Sequence, residues 1–143
     1  MTRVPVKFDD LFGAFEFVSA GEPMEHEAYL CVETGVIHYH SEFGDDEEEP
    51  LPEDIDDSEK YIPVPHKNDL DLGKRLALRF ADEFLPDASD EVHDIFRHRG
   101  AYGRFKNLLE HRGILQQWFD YEEKNRKKAL REWCEVSEIE ILG

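Results

Sequence analysis

The segment His38-Tyr39-His40 has the side-chain spacing of a metal-binding pattern. Side chains of a β-strand alternate between two faces, so both imidazoles would share one face of a strand. Imidazole nitrogens bind zinc and related ions, and a carboxylate such as that of Glu42 could complete the site. The sequence fixes no third ligand, however, and two histidines on a solvated strand face explain the pattern at least as well. We therefore expect no bound metal, and a small enzyme or metal site near His38 and His40 is the third functional hypothesis.

Other residue types used in catalysis do not occur in recognisable patterns. Cys31 and Cys134 lie far apart in the sequence, both on predicted core faces, and neither has a histidine at a readable spacing. The sequence contains no G-x-S-x-G, P-loop or dinucleotide-binding motif. We name no catalytic residue, expect no cofactor, and favour a protein that is not an enzyme.

The triplet His-Arg-Gly occurs twice, at His98 to Gly100 and at His111 to Gly113. Each triplet follows a segment with helical periodicity. A glycine after a helix readily takes the left-handed conformation, and cationic side chains in the last turn face the negative end of the helix dipole. We therefore predict that both triplets end helices rather than hold a ligand.

Charge is distributed unevenly along the chain. It carries 34 acidic and 17 basic residues, a formal net charge of −17. Between Val92 and Arg131, ten Lys or Arg residues stand against five acids, a net of +5, which leaves −22 for the remainder. Nine of the ten form the predicted partner-binding surface: Arg97, Arg104, Lys106, Arg112, Lys124, Arg126, Lys127, Lys128 and Arg131.

This basic region fits an anionic partner, with Tyr102 or Tyr121 nearby for aromatic contacts. A protein is the favoured partner. Nucleic acid is the alternative, which the overall charge of −17 disfavours. Two ordinary solvated surfaces whose charges differ by chance are an equally good explanation.

The N-terminal half reads as strands around one helix. Alternation in residues 4–8 predicts a short strand, and Asp9 or Asp10 can cap a helix over residues 9–19. Two β-rich runs flank Glu33-Thr34-Gly35, which predicts a hairpin with a three-residue loop and a left-handed Gly35. That loop pairs Cys31 with Ile37 and places Tyr29, Cys31, Ile37 and Tyr39 on one face, opposite His38 and His40.

An acidic run separates this hairpin from the rest of the chain. Eleven of the eighteen residues from Glu42 to Glu59 are acidic and none is basic, which predicts a flexible acidic insertion at about 42–59. Residues 61–65, with two prolines, predict an extended edge segment.

The remainder is predicted to be helical. An apolar stripe from Leu72 to Phe84 is followed by a short helix over residues 89–96, and a third helix lies between the two triplets. A long helix runs from about Ile114 to Val136, and its polar middle is expected to be exposed.

Several segments together resemble the uncharacterised bacterial family UPF0158. They are VKFDDLFGAFEF, YLCVETGVIHY, YIPVP, GAYGRFKNLLEHRGILQQWF and LREW, and they extend over nearly the whole chain. The resemblance implies this order of elements and a bacterial cytoplasmic setting. It brings no catalytic residues with it.

These patterns predict one α+β domain over residues 1–143. A small antiparallel sheet is built around the hairpin, joined by residues 3–8 and 61–64, with four to five helices and a mostly helical C-terminal half. The chain shows neither a signal peptide nor a membrane-spanning run, so we expect a cytoplasmic protein with no membrane partner. The leading functional hypothesis is a non-catalytic interaction or regulatory module that acts through the C-terminal helices.

Overall fold

The computed structural model describes residues 3–22, 24–41 and 50–142. The predicted α+β class is confirmed. Along the chain the elements are β1 Val6–Lys7, α1 Phe8–Ser19, β2 His26–Cys31, β3 Ile37–Ser41, β4 Tyr61–Pro63, α2 Lys74–Phe84, α3 Ser89–Ile95, α4 Ala101–His111, α5 Leu115–Val136 and β5 Ile141–Leu142.

The chain divides into two compact units. Unit 1 comprises Met1–Leu70 and Ala129–Gly143, and unit 2 comprises Asp71–Lys128. Unit 2 contains 12 basic and 11 acidic residues, a charge of +1, which leaves −18 for unit 1. The acidity of the protein is therefore a property of unit 1. That residues 1–143 unfold as one domain stays a prediction, which unfolding experiments can test.

The main sheet of unit 1 has the strand order β3-β2-β4, with both neighbours antiparallel to β2. The predicted edge segment is confirmed, since β4 pairs only through Tyr61, Ile62 and Pro63 among the described residues. Helix α1 packs on one face of this sheet, where the ring of Phe17 lies edge-on to that of Tyr39 at 5.2 Å.

The predicted register of the hairpin is wrong by one residue. Leu30, rather than Cys31, pairs with Ile37, because the loop has four residues instead of three. The longer loop satisfies its own backbone: the Gly35 amide donates to the Cys31 carbonyl at 2.8 Å, and the Val36 amide donates to Thr34 Oγ1 at 3.2 Å. Gly35 has the predicted left-handed conformation, with φ of 75°.

The shifted register exchanges the neighbours of the two histidines. His38 lies opposite Tyr29, and His40 lies opposite Glu27. The prediction that Tyr29 shares a face with Tyr39 is therefore wrong, because a shift of one residue moves every side chain of one strand to the other face relative to its partner. His38 and His40 still share a face, and it is the face opposite to α1.

The first strand does not join this sheet, which corrects a second prediction. Val6 and Lys7 pair in parallel with Ile141 and Leu142, at the other end of the chain. Helix α1 then starts at Phe8, and its N-cap position is Lys7, without a side-chain cap. Asp9 and Asp10 lie in the first turn, so they favour the helix through its dipole rather than as the predicted caps.

The predicted acidic insertion lies partly outside the described residues, at 42–49. Its second part forms turns that are tied to β4. Asp54 accepts hydrogen bonds from Lys60 Nζ at 2.8 Å and from the Tyr61 hydroxyl at 3.1 Å. The bond between Asp54 and Lys60 lowers the pKa of the carboxyl and raises that of the amine.

Aromatic side chains make up much of the core of unit 2. Phe80, Phe105 and Trp118 are fully buried, as the helical periodicity predicts. Trp118 lies edge-on to both of the other rings, with centroid distances of 5.1 Å to Phe105 and 5.3 Å to Phe80. Such perpendicular contacts are the favoured geometry for aromatic pairs.

The second His-Arg-Gly triplet ends a helix, as predicted. Gly113 has φ of 71°, its amide donates to the Glu110 carbonyl at 3.1 Å, and the Ile114 amide donates to the Leu109 carbonyl at 3.0 Å. These two bonds define a Schellman motif.

The first triplet does something different, which corrects the prediction. Helix α3 already ends at Ile95, and Gly100, although its φ is also 71°, is the N-cap residue of α4. The Gly100 carbonyl accepts the first helical bond from the Arg104 amide at 3.2 Å. The glycines of both triplets are therefore left-handed, but only the second triplet ends a helix.

Helix α5 ends in a Schellman motif with glutamate at the left-handed position. Glu138 has φ of 59°, and the Ile139 amide donates to the Cys134 carbonyl at 2.8 Å. A side chain at this position is strained where glycine is not. We therefore expect Glu138→Gly to raise the free energy of unfolding by about 0.5–1 kcal/mol, and Gly113→Ala to lower it by about 1 kcal/mol. Urea unfolding of both variants checks this, and a destabilised Glu138→Gly protein would contradict it.

Candidate interaction surface

Four of the nine predicted partner-binding residues already have partners within their own unit. The bond from Arg112 holds the pKa of Asp87 below its ordinary value. The contacts are Arg112 Nη1 with Asp87 Oδ2 (2.9 Å), Arg126 Nη2 with Glu122 Oε1 (3.6 Å), Lys127 Nζ with Glu123 Oε1 (3.0 Å), and the Arg131 guanidinium with the centre of the Phe8 ring (3.9 Å).

The other five are exposed, and in the described ranges no carboxylate lies within ion-pair distance of them: Arg97, Arg104, Lys106, Lys124 and Lys128. The nine predicted residues do not form one patch. Lys124 and Arg126 are two residues apart on α5, and residues at this spacing lie on different sides of a helix. The basic surface predicted from the sequence is therefore divided.

One side of the helical pair α4 and α5 brings cations and exposed rings together. Tyr102 is 36% exposed and Phe119 is 41% exposed. Lys106, one turn after Tyr102, places its Nζ 5.9 Å from the centre of the Phe119 ring. Helices α4 and α5 form a helical hairpin, distinct from the β-hairpin of β2 and β3. We call the following group of residues on it the hairpin strip: Tyr102, Lys106, Phe119, Glu122 and Arg126.

The remaining members of the hairpin strip follow Phe119 along α5 at helical spacing. Glu122 and Arg126 form an ion pair one turn apart, with side chains 23% and 20% exposed. Both lie near Tyr102: burial raises the pKa of this tyrosine, the charge of Glu122 raises it further, and the charge of Arg126 opposes the rise.

Arg126 keeps unused hydrogen-bonding capacity. Its Nε atom is buried and has no hydrogen-bond partner within the part of the chain that the structure describes. Leaving a buried N–H group unpaired costs about 1–3 kcal/mol, so an acceptor that reached it would gain this free energy. The prediction that the middle of α5 is exposed is therefore wrong at Arg126.

Sequence reasoning found part of this strip. Tyr102, Lys106 and Arg126 belong to the predicted surface or lie beside it, whereas helical spacing groups Phe119 with Leu115 and Trp118 at the apolar start of the long helix. The signal for its exposure was weak, because a position next to Trp118 can lie on either border of the buried stripe.

The two histidines of β3 have no third metal ligand beside them among the described residues. In the described residues, no group of three or more His, Cys, Asp or Glu side chains is placed to hold a metal ion. The ring of His38 lies edge-on to that of Tyr61 at 5.8 Å, whereas His40 is exposed. Glu42, the carboxylate named with them, lies outside the described residues.

One family model matches the sequence, over residues 5–142. The chain belongs to the uncharacterised protein family UPF0158. No curated protein and no solved structure matches it. In the described part of this UPF0158 chain, no helix combines the length and the apolar character needed to cross a membrane.

A cleft of about 210 Å³ lies on unit 1 of the UPF0158 chain and is lined by Met24, His26, Tyr29 and His66 among others. His66 is only 5% exposed, and both of its ring nitrogens are used. Nε2 donates to the Gly21 carbonyl at 2.8 Å, and Nδ1 accepts from the Asn68 amide at 3.0 Å. This imidazole therefore links the backbone at Gly21 to the backbone at Asn68. The sequence analysis does not predict this role.

The cysteines are not placed for nucleophilic chemistry. Both are free and buried. Burial raises the pKa of the Cys134 thiol to about 11, against a weaker opposing effect of Arg131. Because the thiolate is the reactive form, this thiol is almost fully protonated and unreactive at neutral pH.

Proposed function

We propose that this protein is a non-catalytic binding module whose partner is a protein segment that presents carboxylates beside an apolar side chain. One observation carries the proposal: two half-exposed rings, Tyr102 and Phe119, lie on the same side of α4 and α5 as Lys106 and Arg126. Aromatic residues and arginine are the types that contribute most at protein interfaces.

The charge of the hairpin strip favours a protein over nucleic acid. Glu122 offsets one of its two cations, which leaves a local charge of +1, and unit 2 as a whole also carries +1. Nucleic-acid affinity depends on many phosphate contacts, each made by a separate cation. A protein segment can place a carboxylate at Arg126 Nε and an apolar group against Phe119, so it can contact both the cation and the ring of the strip.

Site-specific photo-crosslinking in living cells tests the proposal. We expect p-benzoylphenylalanine at position 119 to yield a discrete protein adduct, identified by mass spectrometry. Phe84 is the matched control, because it is a phenylalanine of unit 2 that is 46% exposed and lies outside the strip. Equal adducts at both positions, or none at 119, would contradict the proposal. An adduct that nuclease removes would support the nucleic-acid alternative instead.

Affinity for the identified segment then measures the strip directly. We expect the double change Phe119→Ala with Lys106→Ala to weaken binding at least tenfold, about 1.4 kcal/mol, because it removes a ring and the cation above it. Lys124→Ala with Lys128→Ala removes two cations from another side of α5 and should change affinity less than about twofold. Titration calorimetry gives both values. If the second pair weakens binding as much as the first, the hairpin strip is not the binding site.

A further inference from the structure

Among the described residues, no strand pairs with the outer side of β3 at Ile37 to His40. The strand order β3-β2-β4 places β3 at one edge and β4 at the other. Free edges invite pairing with another chain, and proteins commonly block them with proline or charged residues. The β4 edge carries Pro63, with Pro65 just beyond it, whereas residues 37–41 contain no proline, lysine or carboxylate.

The hydrogen-bond pattern shows which backbone groups this edge presents. The Cys31 amide donates to the Val36 carbonyl at 2.9 Å, so Val36 directs its backbone groups towards β2. In an antiparallel ladder this direction alternates along the strand. His38 and His40 therefore also bond towards β2, and Ile37 and Tyr39 point their N–H and C=O groups outwards.

We propose that β3 pairs antiparallel with β3 of a second copy of this chain, and that a divalent transition-metal ion such as zinc holds the pair together through His38 and His40 of both copies. The two-fold axis passes midway between Tyr39, the central residue of the strand, and Tyr39 of the second copy. In this register Tyr39 exchanges backbone hydrogen bonds with Tyr39 of the second copy. His38 then lies opposite His40 of the second copy, in a position without hydrogen bonds between the two backbones.

That position is the one at which metal ligands approach most closely. Residues opposite each other in a non-hydrogen-bonded pair have Cα atoms about 4.5 Å apart, with their side chains on the same face. The pairing thus creates two cross-strand pairs of imidazoles where one chain has only two histidines on one strand. Neutral imidazole nitrogens are good ligands for zinc, copper and nickel.

Three features of unit 1 agree with a second copy as the occupant. The sequence His38-Tyr39-His40 is symmetric about Tyr39, so an antiparallel copy of the same strand supplies the matching ligands. Helix α1 packs on the opposite face, which leaves the histidine face clear of it. Glu27, the cross-strand neighbour of His40, adds negative charge where the cation binds.

The metal is needed because the two copies repel each other. Each chain carries a net charge of −17, and unit 1 alone carries −18. Backbone pairing centred on Tyr39 extends over only a few residues, so the strand edge alone would not hold two such chains together. This inference concerns unit 1 and is independent of the hairpin strip, so either proposal can fail alone.

Sedimentation of the full chain in EDTA and in added zinc tests the inference. We expect a monomer in EDTA and a doubled mass in zinc, with no doubling in magnesium, which prefers oxygen ligands. His38→Ala with His40→Ala should stay monomeric in zinc. The matched control is His93→Ala with His98→Ala, which removes two exposed histidines of unit 2 and should still dimerise.

A second variant separates the edge from the ligands. Tyr39→Pro keeps both histidines but removes an outward N–H, so it should lose zinc-dependent dimerisation while its circular dichroism stays that of the folded protein. A wild-type chain that stays monomeric in zinc would overturn the inference. So would dimers of the His38, His40 double variant, of the Tyr39→Pro variant, or loss of dimers in the control.

Discussion

Phe80→Ala is expected to lower the free energy of unfolding by about 3–5 kcal/mol, the largest effect of any single change considered for this chain. The side chain is fully buried. Its ring contacts four others, with centroid distances of 4.6 Å to Phe84, 5.3 Å to Trp118, 5.3 Å to Tyr121 and 6.4 Å to Phe105. Truncation would leave a cavity that these rigid rings cannot fill.

Urea unfolding measures this loss, with Trp118 as a probe inside unit 2. Trp133 lies in unit 1, so a Trp133→Phe background leaves Trp118 as the sole tryptophan. The control is Phe84→Ala, which should cost about 1 kcal/mol because that ring is 46% exposed. If both changes cost the same, the ring cluster does not make the core of unit 2. Coincident transitions by fluorescence and by circular dichroism are expected if residues 1–143 are one domain.

His66→Ala is expected to cost about 2–4 kcal/mol, because it removes a buried side chain and leaves two part-buried backbone groups without their partner. The imidazole is the partner of the Gly21 carbonyl and of the Asn68 amide, and both bonds are 3.0 Å or shorter. A carbonyl only accepts and an amide only donates, so the neutral ring with its proton on Nε2 satisfies both at once. Loss of the ring therefore detaches the start of the loop after α1 from the segment after β4.

His66→Asn separates the two bonds. A shorter asparagine side chain can still accept from the amide two residues on, in an Asx turn, but does not reach Gly21. We expect about half of the loss seen with alanine. His98→Ala is the control, since His98 is exposed and should cost less than about 0.5 kcal/mol. Thermal and urea unfolding give these values, and a His66→Ala protein within 0.5 kcal/mol of the wild type would show that the buried bonds contribute little to stability.

Local patterns in the sequence were sufficient for the helices and for two of the left-handed glycines. The apolar spacing that predicts α2 to α5 depends on residues three and four apart, and Gly35 and Gly113 have the conformation that their neighbours require. These features are decided within one or two turns of chain. They could be predicted because no distant partner changes them.

For the candidate site, the sequence predicts only which residue types are enriched, not which of them lie together. Ten basic residues between Val92 and Arg131 indicated a cationic surface, but the sequence does not say which of them find carboxylates. Arg112 donates a hydrogen bond to Asp87, which lies 25 residues earlier, so its guanidinium already has a partner within the chain. Whether Phe119 or Trp118 lies at the border of the core depends on the rotation of α5 against its neighbours, to which periodicity is insensitive.

Tertiary structure alone decided the pairings between distant segments. Val6 pairs with Ile141 across nearly the whole chain, and Tyr29 of β2 pairs with Pro63 of β4. His66 is buried, and its ring donates a hydrogen bond to the carbonyl of Gly21, 45 positions earlier. A sequence determines secondary structure where the competing states differ by local free energies. Register, ion pairing and buried polar contacts depend on groups that become neighbours only when the chain is folded.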